Sequence, residues 1–226
     1  MFSLCCTVQF VKGFSYTRDV AKVARRRRER AEFREEVLAA ARRIVLEEGF
    51  DALTMRKIAE AIEYAPGTIY LYFESRDAIA FELCRAAFES FLAALLPVTA
   101  IADPVERFRE LGRRYVAFGL ENPETYRLIF MEDPKYSSQA FQEDAEADDS
   151  PGKQALGVLV STFAELRERK LLASDADPMV LAEVAWAAVH GIVSLKITFH
   201  RHPQTPSDEL LEFMTATLVR GFLRSG

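Results

Sequence analysis

The residue types that could do chemistry are few in this 226-residue chain, and they are scattered. No nucleophile stands beside a general base in a usable pattern, no glycine-rich loop is placed to cradle a phosphate, and no His-Glu-x-x-His is present. His200 and His202 are two apart, a spacing that a helix would aim to different faces, so they make a poor metal pair. Cys5, Cys6 and Cys84 are odd in number and fit no zinc or disulfide framework, which points to a reducing compartment, hence the cytoplasm. No catalytic residue, no metal site and no cofactor is therefore expected. One stretch does carry a usable pattern. Residues 54–73, TMRKIAEAIEYAPGTIYLYF, pair a short apolar-faced helix with a turn and a second short helix that begins with small residues. Such an element fits a DNA major groove about 12 Å wide.

Charge is distributed to match. The net charge is −5 overall. Residues 1–85 hold 15 Lys/Arg against 13 Asp/Glu, and residues 18–43 alone hold ten basic and five acidic side chains. A basic amino-terminal part on an acidic remainder suits a protein with one polyanion-binding end.

The elements that must position this stretch read as helices, so the expected fold class is all-α. Apolar residues recur at 3–4 spacing from about Glu32 to Glu48 (Phe33, Val37, Ala40, Ala41, Ile44, Val45), and Gly49 follows as a natural helix stop. Thr54 sits where an N-cap belongs, and Pro66 stands just inside the next helical turn. Ser75 can cap a fourth helix that runs to about Leu96. The remaining helices expected are Pro104–Leu120, Pro123–Met131, Lys153–Leu172, Pro178–His200 and Ser207–Arg224, with residues 137–152 as an acidic mobile loop. No apolar run approaches the ~18 residues a membrane span needs, so no membrane partner is expected. The domain plan is residues 1–28 as a disordered or basic extension, 29–75 as the helix-turn-helix domain, and 76–226 as a larger helical domain.

Within the helix-turn-helix, Ile58, Ala59, Ile62, Tyr64, Ile69 and Tyr72 are the expected core positions. The segment FREEVLAAARRIVLEEGFDALTMRKIAEAIEYAPGTIYLYFESRDAI resembles the DNA-binding domain of the TetR family of regulators, most specifically at GTIYLYF, residues 67–73. The resemblance implies a regulator of transcription, most often a repressor, that binds double-stranded DNA. Two positions depart from the family pattern. Glu63 stands where Gly is usual, at a backbone position that often needs φ > 0. Ala65 replaces a hydroxyl cap, a loss of about 1 kcal/mol.

By this resemblance Thr54, Arg56 and Lys57 at the start of the first short helix meet phosphates. Ala65, Pro66, Gly67, Thr68, Tyr70, Leu71 and Tyr72 form the recognition element. Gly67 permits close approach, Tyr70 is the exposed contact and Tyr72 is partly core. Arg76 takes the place of a phosphate-binding Lys. Arg27 and Arg28, within the run Arg25–Arg28, are either a basic arm reaching a minor groove or part of a solvated first helix.

The larger domain is rich in aromatics. Phe88, Tyr115, Phe118, Tyr126, Phe130, Phe163, Trp186 and His190 are the candidate lining of an apolar effector cavity, a property implied by the resemblance, and equally readable as plain core. Trp186-Ala-Ala-Val-His190-Gly191 resembles the Trp-His-Gly signature of one TetR subgroup, as does ENPETYRLIF at 121–130. The last two helices are apolar around much of their circumference, which suggests a homodimer and hence a palindromic operator. A rival reading is a helical ligand-binding or interaction module whose DNA head is degenerate.

Overall fold

The computed structural model describes residues 13–142, 150–199 and 204–223, with side chains from residue 20 onward. These residues form two compact units, the first ending at Arg76 and the second beginning at Asp77. All regular elements among them are helical.

The first unit contains α1 (Gly13–Glu48), α2 (Met55–Ala61) and α3 (Pro66–Ile69). Helix α1 is much longer than the sequence pattern suggests. The stretch expected as a separate extension, from Gly13 to Arg28, belongs to it, whereas residues 1–12 lie outside the described residues. The apolar stripe begins only at Phe33, so periodicity is silent before it. From Ala21 to Glu32 the turns are built, apart from Val23, of Ala, Lys, Arg and Glu, all good helix formers, and no proline stops them. An Arg25–Glu29 pair at 3.4 Å adds i,i+4 support. The core of this unit joins Val37, Ala41, Ile44 and Val45 of α1 to Leu53, Ile58, Ala59, Ile69 and Phe73. Tyr64, expected in that core, is instead 46% exposed and rests its edge on Phe33, ring centroids 5.0 Å apart.

The second unit contains α4 (Arg76–Leu95, from Asp77 onward), α5 (Pro104–Glu121), α6 (Pro123–Phe130), α7 (Pro134–Gln142), α8 (Pro151–Glu168), α9 (Pro178–Thr198) and α10 (Ser207–Phe222). Helices α5 to α9 all open on proline, whose missing N–H loses nothing in the first turn. Asp103, Ser150 and Asp177 cap α5, α8 and α9 by accepting from Val105, Lys153 and Met179 N–H groups. Helix α7 overturns part of the expected mobile loop. Its Tyr136 and Ala140 are buried, and Asp77 accepts from both the Tyr136 hydroxyl and Lys135 Nζ at 2.8 Å. Residues 143–149 of that loop lie outside the described residues. Helix α8 stops at Glu168, short of the expected Leu172, because Lys170 turns left-handed at φ 58° and Leu171 N–H closes back on Leu166 C=O at 3.0 Å.

Helices α5, α8, α9 and α10 pack on one another. One apolar cluster among them holds Phe108, Phe163, Leu166, Leu172, Leu181, Ala182 and Ala185. The α5–α9 crossing depends on Gly119, where a Cβ would fall 2.4 Å from Val193 Cγ1. Helix α9 corrects the expectation that no run is long and apolar enough to cross a membrane: by length and composition it passes that test. Leu181, Ala182, Ala185, Val189, Ile192 and Val193 are nevertheless buried among the neighbouring helices, as in the core helix of any globular domain.

Candidate functional site

Thr54 begins the helix-turn-helix as expected, its hydroxyl accepting from Lys57 N–H at 3.1 Å. Glu63 follows α2 at φ 59°. The backbone closes around it: Tyr64 N–H reaches Ala59 C=O at 3.0 Å and Glu63 N–H reaches Glu60 C=O at 3.4 Å. This is the usual helix-ending pair of hydrogen bonds, with Glu in the left-handed place that favours glycine. Ala65 then caps α3 with no side-chain hydrogen bond. Pro66 opens the helix, and Thr68 N–H bonds to Ala65 C=O at 2.9 Å. The turn therefore reaches its expected geometry through backbone bonds alone.

The candidate contacts divide by exposure. Ala65, Pro66, Gly67, Tyr70 (56%) and Leu71 (73%) face outward, while Thr68 and Tyr72 are half-buried. A Cβ added at Gly67 would meet no protein atom within 4 Å. Nothing inside the protein requires glycine there, which leaves room for an external surface to approach. Tyr72 packs on Phe33 at 4.4 Å between ring centroids, and its carbonyl accepts from Arg34 at 2.7 Å. Tyr72 is thus the inner tyrosine and Tyr70 the outer one. An aliphatic side chain as exposed as Leu71 on a short recognition element is a natural contact for a thymine methyl.

The basic candidates are more constrained than the sequence suggests. Arg56 Nε donates to Glu60 at 2.9 Å, and Lys57 pairs with Glu48. Arg76 Nη1 donates to the Phe50 and Leu53 carbonyls at 3.4 and 3.3 Å, so its guanidinium helps bind the first unit together. Thr54, Arg56, Tyr70 and Arg76 nevertheless line one open depression with Met55, Glu74 and Ser75. Arg27 and Arg28 lie on α1, exposed to solvent. This is the solvated-helix alternative of the two readings of the run; a helix about 10–12 Å across is wider than a minor groove of about 6 Å.

In the second unit an apolar cavity of about 60 Å³ lies among α4, α5, α6, α7, α8, α9 and α10. Four of the eight candidate lining residues reach it: Phe88, Tyr115, Phe130 and Trp186. The other four do not. Phe118 packs against Phe91, ring centroids 5.2 Å apart. Phe163 belongs to the cluster with Phe108 and Phe222. Tyr126 and His190 stand behind Tyr115, hydroxyl to Nδ1 at 2.6 Å. Phe91, Phe108, Leu111, Phe141 and Met214 line the cavity and were missed. Phe141 in particular sits on α7, which the sequence pattern hides inside an acidic loop.

Comparison with known proteins places both units. The description "Bacterial regulatory proteins, tetR family" matches residues 37–83, which hold the helix-turn-helix. The description "Tetracyclin repressor-like, C-terminal domain" matches residues 108–218, which include Trp186, His190 and Gly191. The chain belongs to the TetR family. An uncharacterised helix-turn-helix regulator of Haemophilus influenzae is 31% identical over 98 residues, 43% of this chain and 52% of that protein. The regulator TcmR of Streptomyces glaucescens is 32% identical over 81 residues, 36% of each. The chain thus spans about half the length of the first of these relatives and about a third of the second. Among solved structures, a protein of unknown function from a Rhodococcus species superposes with a TM-score of 0.67 at 24% identity, covering 84% of this chain and 95% of that one. FadR of Bacillus subtilis, solved with stearoyl-CoA, gives 0.62 at 16%, covering 83% and 98%. At these identities the likenesses show the fold alone, over 83–84% of the chain. The family is one of regulatory proteins rather than a class of enzymes.

Burial decides the chemistry around the cavity of this TetR-family chain. It pushes the Tyr115 and Tyr126 hydroxyls well above their ordinary range and holds His190 below its own. Cys84, the described cysteine, is buried on α4, its thiol pushed up to about 12, which makes it an inert core residue.

Proposed function

We propose that this TetR-family chain is a sequence-specific DNA-binding regulator, acting in the cytoplasm as a homodimer and as a repressor released by a small apolar effector. The observation that carries the DNA reading is the outward face of α3 and the residues after it. Gly67, Tyr70 and Leu71 are exposed there on a unit whose core, from Val37 to Phe73, is closed beneath them. Apolar and aromatic side chains presented outward at a short helix suit base edges and phosphates. Arg56 and Lys57 sit at the start of α2 with carboxylate partners that phosphates can replace.

The second copy is supported by the outer faces of the last two helices. Val180, Val184 and Leu195 on α9 and Phe213 on α10 are all between 45% and 73% exposed. A two-fold pair would cover them in a four-helix interface and present two reading heads to a palindromic operator. The effector reading is supported by the apolar cavity, and the acyl chain of the stearoyl-CoA held by FadR is of matching character. Release then follows if the effector favours a conformation whose heads no longer match the operator spacing.

Tyr70→Ala tests the DNA reading. It should weaken binding to the DNA upstream of the protein's own gene by about 1–3 kcal/mol, measured by mobility shift, with the thermal transition unchanged. A wild-type protein that shows no specific, salt-sensitive shift on that DNA would favour the rival reading of a module with a degenerate head.

A further inference from the structure

Four polar side chains stand in one line at the wall of the cavity. Trp186 Nε1 lies 3.0 Å from the Tyr115 hydroxyl, which lies 3.0 Å from the Tyr126 hydroxyl, which lies 2.6 Å from His190 Nδ1. An indole N–H can only donate, so Tyr115 oxygen accepts from Trp186. With His190 neutral and Nδ1 unprotonated, every remaining proton has an acceptor: Tyr115 O–H donates to Tyr126, and Tyr126 O–H donates to Nδ1. The cavity wall then offers a ligand no free donor from this group. Protonation of His190 from solvent reverses the order. Nδ1–H now donates to the Tyr126 oxygen, and one of the two hydroxyl protons loses its protein acceptor. In the arrangement where the Tyr126 proton turns to the Tyr115 oxygen, that oxygen accepts from both Trp186 and Tyr126 and the Tyr115 proton is the one left over; Tyr115 and Trp186 are the two members of the line that touch the cavity, so an acceptor in the cavity selects this arrangement.

We propose that the cavity takes an apolar ligand bearing one hydrogen-bond acceptor, such as a carbonyl, that this acceptor receives the Tyr115 hydroxyl proton, and that binding is coupled to proton uptake at His190. An orphaned buried donor is unfavourable, so the protonated state alone is suppressed and the acceptor-bearing ligand relieves it. The coupling is reciprocal: the ligand favours the proton and the proton favours the ligand. The groups facing His190 are Tyr115 from α5 and Tyr126 with the apolar Phe130 from α6. Burial holds its pKa below the ordinary range, with no carboxylate or guanidinium contributing. The Trp-x-x-x-His spacing thereby acquires a role: it sets a donor and a switchable acceptor at the two ends of a tyrosine pair. At about 60 Å³ the cavity suits small probes, and Met214 in its wall is the kind of side chain that yields to a larger ligand.

This proposal rests on the reading of the cavity as the effector site, and the test separates the two. Binding of 2-butanone and of xenon to the full-length protein is followed at pH 8 and pH 5 by the indole N–H resonance of Trp186, the one tryptophan of the chain. Xenon fills an apolar space without accepting a hydrogen bond. The ketone should bind tighter at pH 5 than at pH 8, reaching about threefold for a half-unit rise in the His190 pKa once the lower pH lies below that pKa, while xenon binds equally at both. His190→Gln, which cannot be protonated, and Tyr126→Phe, which cuts the line, should each remove the pH dependence of ketone binding and leave xenon binding in place. Equal ketone affinity at the two pH values overturns the proposal while xenon binding leaves the effector cavity standing. So does ketone binding lost only in Thr215→Val, which would place the acceptor on the other hydroxyl of the wall. Failure of both probes to bind removes the cavity reading and the proposal together.

Discussion

The helix-turn-helix and the aromatic heart of the second unit use tyrosines in opposite ways. Tyr70 stands 56% exposed at the end of α3. Tyr126 is fully buried, and its hydroxyl is committed at 2.6 Å to His190 and at 3.0 Å to Tyr115. The first hydroxyl is kept available to an outside partner by water. The second is kept from water, so it must be matched inside the protein. The same contrast holds for charge. The two cations at the start of α2 pair with single carboxylates at the surface, Arg56–Glu60 and Lys57–Glu48, and such exposed pairs contribute little. Around the cavity, polarity comes from the Thr215 hydroxyl and from the hydrogen-bonded line that runs from Trp186 to His190. One region is built to give up its partners and the other to keep them.

Four substitutions probe this contrast. Phe163→Ala should produce the largest loss, about 3–5 kcal/mol by chemical denaturation, because Phe163 is 1% exposed between Phe108 and Phe222 and does not line the cavity. A loss below 1 kcal/mol would mean that the cluster is loosely packed. Tyr126→Phe removes one oxygen and should destabilise by about 1–3 kcal/mol, since His190 and Tyr115 are left short of a buried partner. Glu63→Gly should move the other way, stabilising the first unit by about 1 kcal/mol, because φ 59° suits glycine; a destabilised variant would show that the Glu63 side chain has a role of its own. Tyr70→Phe is the counterpart of Tyr126→Phe and should change stability by less than about 0.5 kcal/mol, as surface changes do. If the two Tyr→Phe variants lose equal stability, the distinction between an available and a committed hydroxyl fails.

Much of the first unit is legible from residue order alone. Thr54 caps α2, Pro66 opens α3, Ile58, Ala59 and Ile69 are buried, and the awkwardness of Glu63 is visible as a positive φ. Each of these is a local matter, governed by backbone geometry and 3–4 residue spacing. The stretch of α1 from Val20 to Glu32 is not legible by periodicity, because a helix exposed on all sides has no stripe to read. Helix α7 is hidden for a related reason: its burial rests on Tyr136 and Ala140, too few residues to stand out beside an acidic run.

The cavity marks where local reading ends. Composition and spacing could nominate eight side chains, all of them aromatic or histidine, but could not say which would face a void and which would face one another. Tyr115 and Phe130 reach the space, whereas Tyr126 and His190 stand one layer behind, a difference made by how α5, α6 and α9 cross. Gly119 permits that crossing, and nothing near it in the chain announces Val193 as its neighbour. The sequence by itself determined an all-helical chain, its helix-turn-helix and the tyrosine that faces outward, because those follow from contacts within a few residues. Only the tertiary structure decided that Trp186 and His190, one helical turn apart, close a line of hydroxyls supplied by Tyr115 and Tyr126, because that line joins residues up to 75 positions apart and exists only once three helices are packed.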